Sequence, residues 1–329
     1  MLPAIPYNRY GLPPGGTLLK ARSHLACASL AGFLAVVFST TAQKRVPSPA
    51  PEPAVILGVL EDLPAETGEP DLRVVRAVFQ KLGDEWVPYP AQAQSYRDLQ
   101  SLPDSYPRQI TWAILFNGRN LGTVTAETPS FFRSNSQVGI QEIISDDPVP
   151  VVGEKSTAFS GFRDTPVYRP LVALSRPNLN DTETWKPAQL SLDLISTARR
   201  LFRVRFPKAS NCANSSAKAT AWPYRDEDIN ILKTYASKKQ VSLIELSLTG
   251  WACETLAEYG GPFDGQWYAA DATGNLSFLG TDMSLVDAGD YDNDGNSELL
   301  FSIDGYNLAG YRLFYRNFTR SAEFVFNFR

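Results

Sequence analysis

The last quarter of the chain is a succession of short apolar runs, each bounded by turn residues. Residues 241–248, 266–270, 276–279, 299–303, 311–315 and 323–328 are rich in β-branched and aromatic side chains. Runs of about four to eight such residues are strands, because a helix needs a longer stretch with a 3.6-residue period. A 329-residue chain patterned this way is expected to be all-β. The even spacing predicts a propeller-like array of short antiparallel strands, with a β-sandwich as the alternative.

Upstream signals agree. Residues 110–116 run into Asn117-Gly118 and return through 121–126. Asn-Gly supplies the positive φ angles that a type I′ hairpin turn requires. Residues 74–80 and 85–89 flank Gly83-Asp84 and read as strand, turn, strand, and 54–60 opens the folded part as a strand. A turn signature similar to Asn117-Gly118 recurs at Phe263-Asp264-Gly265. One stretch departs from the pattern. Leu190, Leu194, Ile195, Ala198, Leu201 and Phe202 share a helical face, so a helix is expected near 189–201, although Leu190, Leu192 and Leu194 also alternate as in a strand.

The N-terminal segment reads as an export signal. Lys20 and Arg22 precede an apolar run at 25–38, and Ser39-Thr-Thr-Ala42 offers small residues for cleavage. That run is shorter than the roughly 20 residues of a comfortable membrane span. The expected organisation is a signal peptide at 1–42, a Pro-rich linker at 43–53 and an all-β domain at 54–329. The expected location is secreted or periplasmic, with no stable membrane insertion after cleavage. Export would remove His24, the only histidine, and with it Ser-His-Asp triads, Cys-His nucleophiles and histidine-ligated zinc. It would also remove Arg9, Lys20 and Arg22 but no acid, leaving a chain more acidic than the formal −4 of the whole. Such a chain is a poor nucleic-acid binder. Cys212 and Cys253 would remain and are expected to form a disulfide in an oxidising compartment, with two buried thiols as the alternative.

Residues 287–301 carry the one chemically explicit motif. Asp290, Asp292, Asp294 and Glu298 fall at the first, third, fifth and ninth positions of a loop, with Gly295 at the sixth. Calcium takes six to eight oxygen ligands in flexible geometry, and alternating aspartates on a tightly curled loop turn three carboxylates inward. Gly295 permits the sharp turn. The expected ligands are Asp290, Asp292, Asp294, the carbonyl of Asn296, and Glu298 directly or through water. Three aspartates so close together repel one another unless a cation neutralises them. Phe301 stands where an EF-hand would end in glutamate, and a strand-like run follows, so a helix–loop–helix hand is not expected. Asp226, Asp228 and Asn230 share the alternation without the glycine and read as a solvated acidic turn.

The motif over 283–316 resembles the FG-GAP or VCBS type of calcium-loop repeat, as in integrin-like β-propellers. The resemblance covers about a tenth of the chain, with one intact loop. It implies a β-propeller setting, structural calcium and a role in adhesion or recognition, with a protein or glycan as partner.

The remaining signals are less specific. Arg199, Arg200, Arg203 and Arg205 form a basic cluster suited to a phosphate or an acidic glycan, but a solvated face is the ordinary reading. Trp86, Trp112, Trp185, Trp222, Trp251 and Trp267 suit a core or a sugar platform. No catalytic group is evident. The residues thus point to a calcium-binding β protein with a binding or surface-interaction role. The alternative is a carboxylate-dependent glycoside hydrolase on a propeller scaffold, which needs no histidine.

Overall fold

The computed structural model describes residues 54–63, 72–89, 109–127, 139–159, 165–176, 183–211, 220–248, 265–305 and 308–327, all within the unit Glu52–Arg329. The expected signal and linker lie outside these residues, as do Cys212, Cys253, Phe263 and Asp264. Every strand pairing among the described residues is antiparallel, and one long helix accompanies the strands. No described helix is long and apolar enough to cross a membrane.

The first sheet contains β1 (Ile56–Leu63), β2 (Leu72–Leu82), β3 (Glu85–Pro88), β4 (Gln109–Phe116), β5 (Arg119–Glu127), β6 (Ile140–Glu142) and β7 (Leu171–Leu174), with most of its strands in the order β3-β2-β1-β7-β4-β5. β4 and β5 form the hairpin expected from Asn117-Gly118, whose φ angles are 49° and 67°. β6 pairs Val74–Arg76 of β2, and the next residue, Ile143, bridges Ala126 of β5. Ile144 N–H then donates to Thr125 O at 2.9 Å. The sheet therefore closes on itself. Its interior is filled by Leu60, Val75, Ile110, Trp112, Ile114, Val124 and Leu171, all buried. Trp112 lies across this space because Gly58 lacks a side chain. A Cβ there would sit 2.9 Å from Arg76 O and 3.2 Å from the indole. The Trp112 Nε1–H donates to Gln141 Oε1 at 3.0 Å and ties β4 to β6.

The C-terminal sheet is a meander of β15 (Met283–Gly289), β16 (Glu298–Gly305), β17 (Leu308–Tyr315) and β18 (Arg320–Asn327). Side chains on a strand alternate between faces, and here both faces are covered. Leu300, Tyr311, Leu313, Tyr315 and Phe324 pack on Leu57, Val59, Phe79, Trp86, Val172 and Leu174 from the outer face of the first sheet. Leu299, Phe301 and Phe314 pack the opposite way, on Leu243, Trp267 and Leu279. Those residues belong to the remaining large sheet, β8 (Lys186–Pro187), β11 (Ile229–Ala236), β12 (Ser242–Leu248), β13 (Gln266–Ala270) and β14 (Leu276–Gly280). Phe301 lies between Trp267 and Phe314, with ring centroids at 5.1 and 5.8 Å and steep tilts, contacts worth about 0.5–1.5 kcal/mol each beyond their burial.

The far face of that sheet carries Ile229, Ile244, Leu246, Leu248 and Tyr268, which the helix α1 (Leu192–Arg205) covers with Ala198 and Phe202. Ser191 caps the helix by accepting Leu194 N–H at 3.2 Å. It starts and ends a few residues later than the apolar face suggests, because the cap sets the first turn. A small ribbon, β9 (Ala209–Asn211) with β10 (Thr220–Trp222), follows it.

The all-β expectation is met. The closed propeller is not found among the described residues. Three sheets lie in a row, with the last in sequence in the middle. A ring would need both end sheets to offer an open face. Here the first sheet uses its inner face to enclose its own core, and α1 covers the outer face of the other.

Candidate metal centre

The acidic loop joins β15 to β16, the first two strands of the middle sheet. Gly289 pairs with Glu298 at its base, so the strands hold both ends of 290–297 together. Asn293 and Gly295 take positive φ values of 60° and 87°, which turn the chain back on itself. The turn brings one carboxylate oxygen from each of Asp290, Asp292 and Asp294 within 4.8 Å of the others. Asp290 is buried, Asp292 half-buried and Asp294 exposed.

Backbone amides fix these carboxylates. Asp290 accepts from Asp294 N–H at 3.0 Å and from Gly295 N–H at 2.8 Å. Asp292 accepts from Asp294 N–H at 3.1 Å, and Asp294 from Asn296 N–H at 2.7 Å. The Asn296 side-chain amide also donates to Asp294, at 3.1 Å. Glu298 is buried beneath the loop and accepts Tyr291 N–H at 2.8 Å. It is not among the three acids whose oxygens converge. Burial pushes the Asp290 carboxyl up to about 6, a rise that the neighbouring Asp292 and Asp294 reinforce and the amide donors oppose. Burial, with Asp292 next in weight, also raises Glu298 well above the usual carboxylate range. In both, crowded like charges add to the effect of burial, so positive charge nearby is favourable.

Two lysines from the flanking sheets supply part of that charge. Lys81 of β2 pairs its ammonium with Asp292, and lies 5.4 and 5.9 Å from the ring centroids of Trp86 and Tyr315. Lys239, in the β11–β12 turn, donates to Gly295 O and pairs with Glu183 at 3.0 Å. Glu183 accepts Ser297 Oγ–H at 2.6 Å, and Ser297 accepts the Trp185 indole N–H at 3.0 Å. The loop is thus where all three sheets meet. Sequence reasoning missed Lys81, Lys239 and Glu183, which lie far from the loop in the chain and carry no local pattern.

The donor set fits a hard cation. Its convergent atoms are all carboxylate oxygens, the geometry that calcium and magnesium use and zinc or copper do not favour. The Lys81 ammonium already balances one of the three carboxylates, that of Asp292. Behind the loop, Asp287 accepts Asn117 N–H at 2.9 Å, and burial pushes it up to about 7 despite the Arg169 guanidinium nearby.

The second acidic run does not converge. Asp226 pairs with Arg203 at 2.9 Å, Glu227 with Arg225 at 3.0 Å, and Asp228 accepts Arg225 N–H at 2.7 Å. Its acids are spent on arginines, as expected for a solvated turn.

No family model, curated protein or solved structure matches this chain.

Proposed function

We propose that this chain is a secreted or periplasmic calcium-binding β protein with a binding or surface-interaction role. The observation that carries the calcium part is the convergence of three aspartate oxygens at the junction of three sheets. Asp290, Asp292, Asp294 and the Asn296 carbonyl hold the ion, with Glu298 supporting from below. Calcium suits a curled, flexible oxygen site better than magnesium, which demands near-ideal octahedral geometry. The ion neutralises carboxylates that otherwise repel, and so pins β15 and β16 to both flanking sheets. The resemblance of the loop to FG-GAP and VCBS repeats supports the recognition role.

The hydrolase alternative has less behind it, because several of the described acids outside the loop are held in ion pairs. Glu61 pairs with Arg76 at 2.7 Å, Asp62 with Arg73 at 3.1 Å and Glu245 with Lys233 at 3.0 Å. Calorimetric titration tests the reading. Calcium should bind with about one site per chain and more tightly than magnesium, and Asp290→Asn should abolish binding. Equal, weak heats for both ions would overturn it.

A further inference from the structure

Beside α1 and far from the acidic loop in sequence lies an open cleft of about 330 Å³ whose lining includes Arg200, Arg203, Val204, Pro207, Trp222 and Tyr224. Residues 199–208 hold five basic side chains and no acid, in a chain whose formal net charge is −4. The other basic residues of α1 have structural work. Arg199 donates to Ile229 O at 3.1 Å, and the Arg205 guanidinium lies 3.6 Å from the Phe278 ring centroid. Arg203 sets its Nε 2.9 Å from Asp226 Oδ1 as an ion pair, and its two Nη groups make no other ion pair among the described residues. Arg200 is exposed and makes no ion pair among the described residues. Two guanidinium groups therefore face one cleft.

The lining also includes two aromatic side chains, Trp222 and Tyr224. Trp222 is half-buried on β10 and packs edge-on against Tyr224, with centroids 6.1 Å apart. Tyr224 packs perpendicular to Phe202 at 6.3 Å and donates its hydroxyl to Phe206 O. This aromatic ladder fixes the indole from the core outward. The site thus combines a fixed, partly exposed indole with an arginine fork.

We infer that this cleft binds an acidic sugar residue of a glycan. The indole face takes the C–H face of the pyranose ring, and Arg200 and Arg203 take its carboxylate or sulfate through paired N–H donors. A neutral sugar would leave both guanidiniums unused, and a flexible acidic peptide offers no flat ring to the indole. The inference deepens the recognition role proposed above by naming a ligand class, and it does not depend on the ion.

The test titrates a hyaluronan tetrasaccharide and a heparin tetrasaccharide into the full chain with calcium present, read by tryptophan fluorescence and calorimetry. Chitotetraose and poly-glutamate serve as controls. At least one acidic sugar should bind, and more weakly as salt rises. Arg200→Ala and Trp222→Leu should each weaken binding about tenfold or more, and Arg200→Lys should weaken it less. Unchanged melting temperatures and calcium titrations would show that the variants fold and that the ion reading stands apart. Binding no stronger than chitotetraose, equal binding of poly-glutamate, or binding insensitive to Arg200→Ala would overturn the inference.

Discussion

Lys81→Met separates the internal counter-charge from the ion. Lys81 is 15% exposed at its side chain and Asp292 is 5% exposed, so their pair is largely shielded from water. Removing one partner of a buried pair costs about 3–5 kcal/mol, because the other charge is left uncompensated. The residual exposure of Lys81 brings the expected cost nearer to about 2 kcal/mol in the presence of chelator. Methionine keeps an unbranched stem of similar length but removes the ammonium from Asp292 and from the faces of Trp86 and Tyr315, so charge is the main change. In saturating calcium the ion takes over the neutralisation, and the cost should largely vanish. The difference between the two costs equals the change in calcium binding free energy. A difference of about 2 kcal/mol corresponds to roughly 30-fold tighter binding by the variant. Urea unfolding with chelator and with calcium gives both costs, and calorimetry gives the affinity independently. An equal cost in both conditions with unchanged affinity would refute the idea that the lysine and the ion share one pool of negative charge.

Three further outcomes test the fold around the site. Trp112→Phe should destabilise by about 2–3 kcal/mol, because it strips Gln141, already lacking a partner at Nε2, of its indole donor. Combining it with Gln141→Leu should recover at least about 1 kcal/mol of the summed single-mutant costs in a urea-unfolding cycle, and strict additivity would contradict the buried bond. Gly310→Ala should cost about 3 kcal/mol or more in the same assay, since its Cβ would lie 2.0 Å from Phe324 O across the β17–β18 ladder. Burial, reinforced by Glu61, pushes Asp304 up to about 6, above its unfolded value of 3.8. The folded chain holds that proton longer than the unfolded one, so stability should fall by the order of 2 kcal/mol as pH rises from about 4 to 6. Asp304→Asn should remove that part of the decline, and identical pH profiles for variant and wild type would count against it.

The reach of sequence reasoning followed how local each signal was. Asn117-Gly118 and Gly83-Asp84 named their turns because the needed φ angles are written in two residues. The strands at 266–270 and 276–279 were legible because turn residues bound them. The runs Leu299-Leu300-Phe301 and Leu243-Ile244 show no alternation, and the structure gives the reason: adjacent side chains feed two different cores, on opposite faces of one strand. That double burial marks an inner sheet but does not say what lies on either side, so a ring of blades and a row of sheets look alike in sequence. The self-closure of the first sheet was hidden for another reason. It rests on the three-residue strand β6 and one bridge at Ile143, too short to leave a period. In the candidate centre the aspartates were legible because one curled loop supplies them. Their partners Lys81 and Lys239 were not, because only tertiary packing brings them there.

The most direct test of the account is thermal unfolding of the full chain in calcium and in excess chelator, with Asp292→Ala beside it. At free calcium 100-fold above the dissociation constant, the ion should add about 2.7 kcal/mol, a shift of roughly 4–5 °C for a domain of this size. The wild type should show that shift and Asp292→Ala none. Superimposable wild-type curves with calcium and with chelator would contradict it.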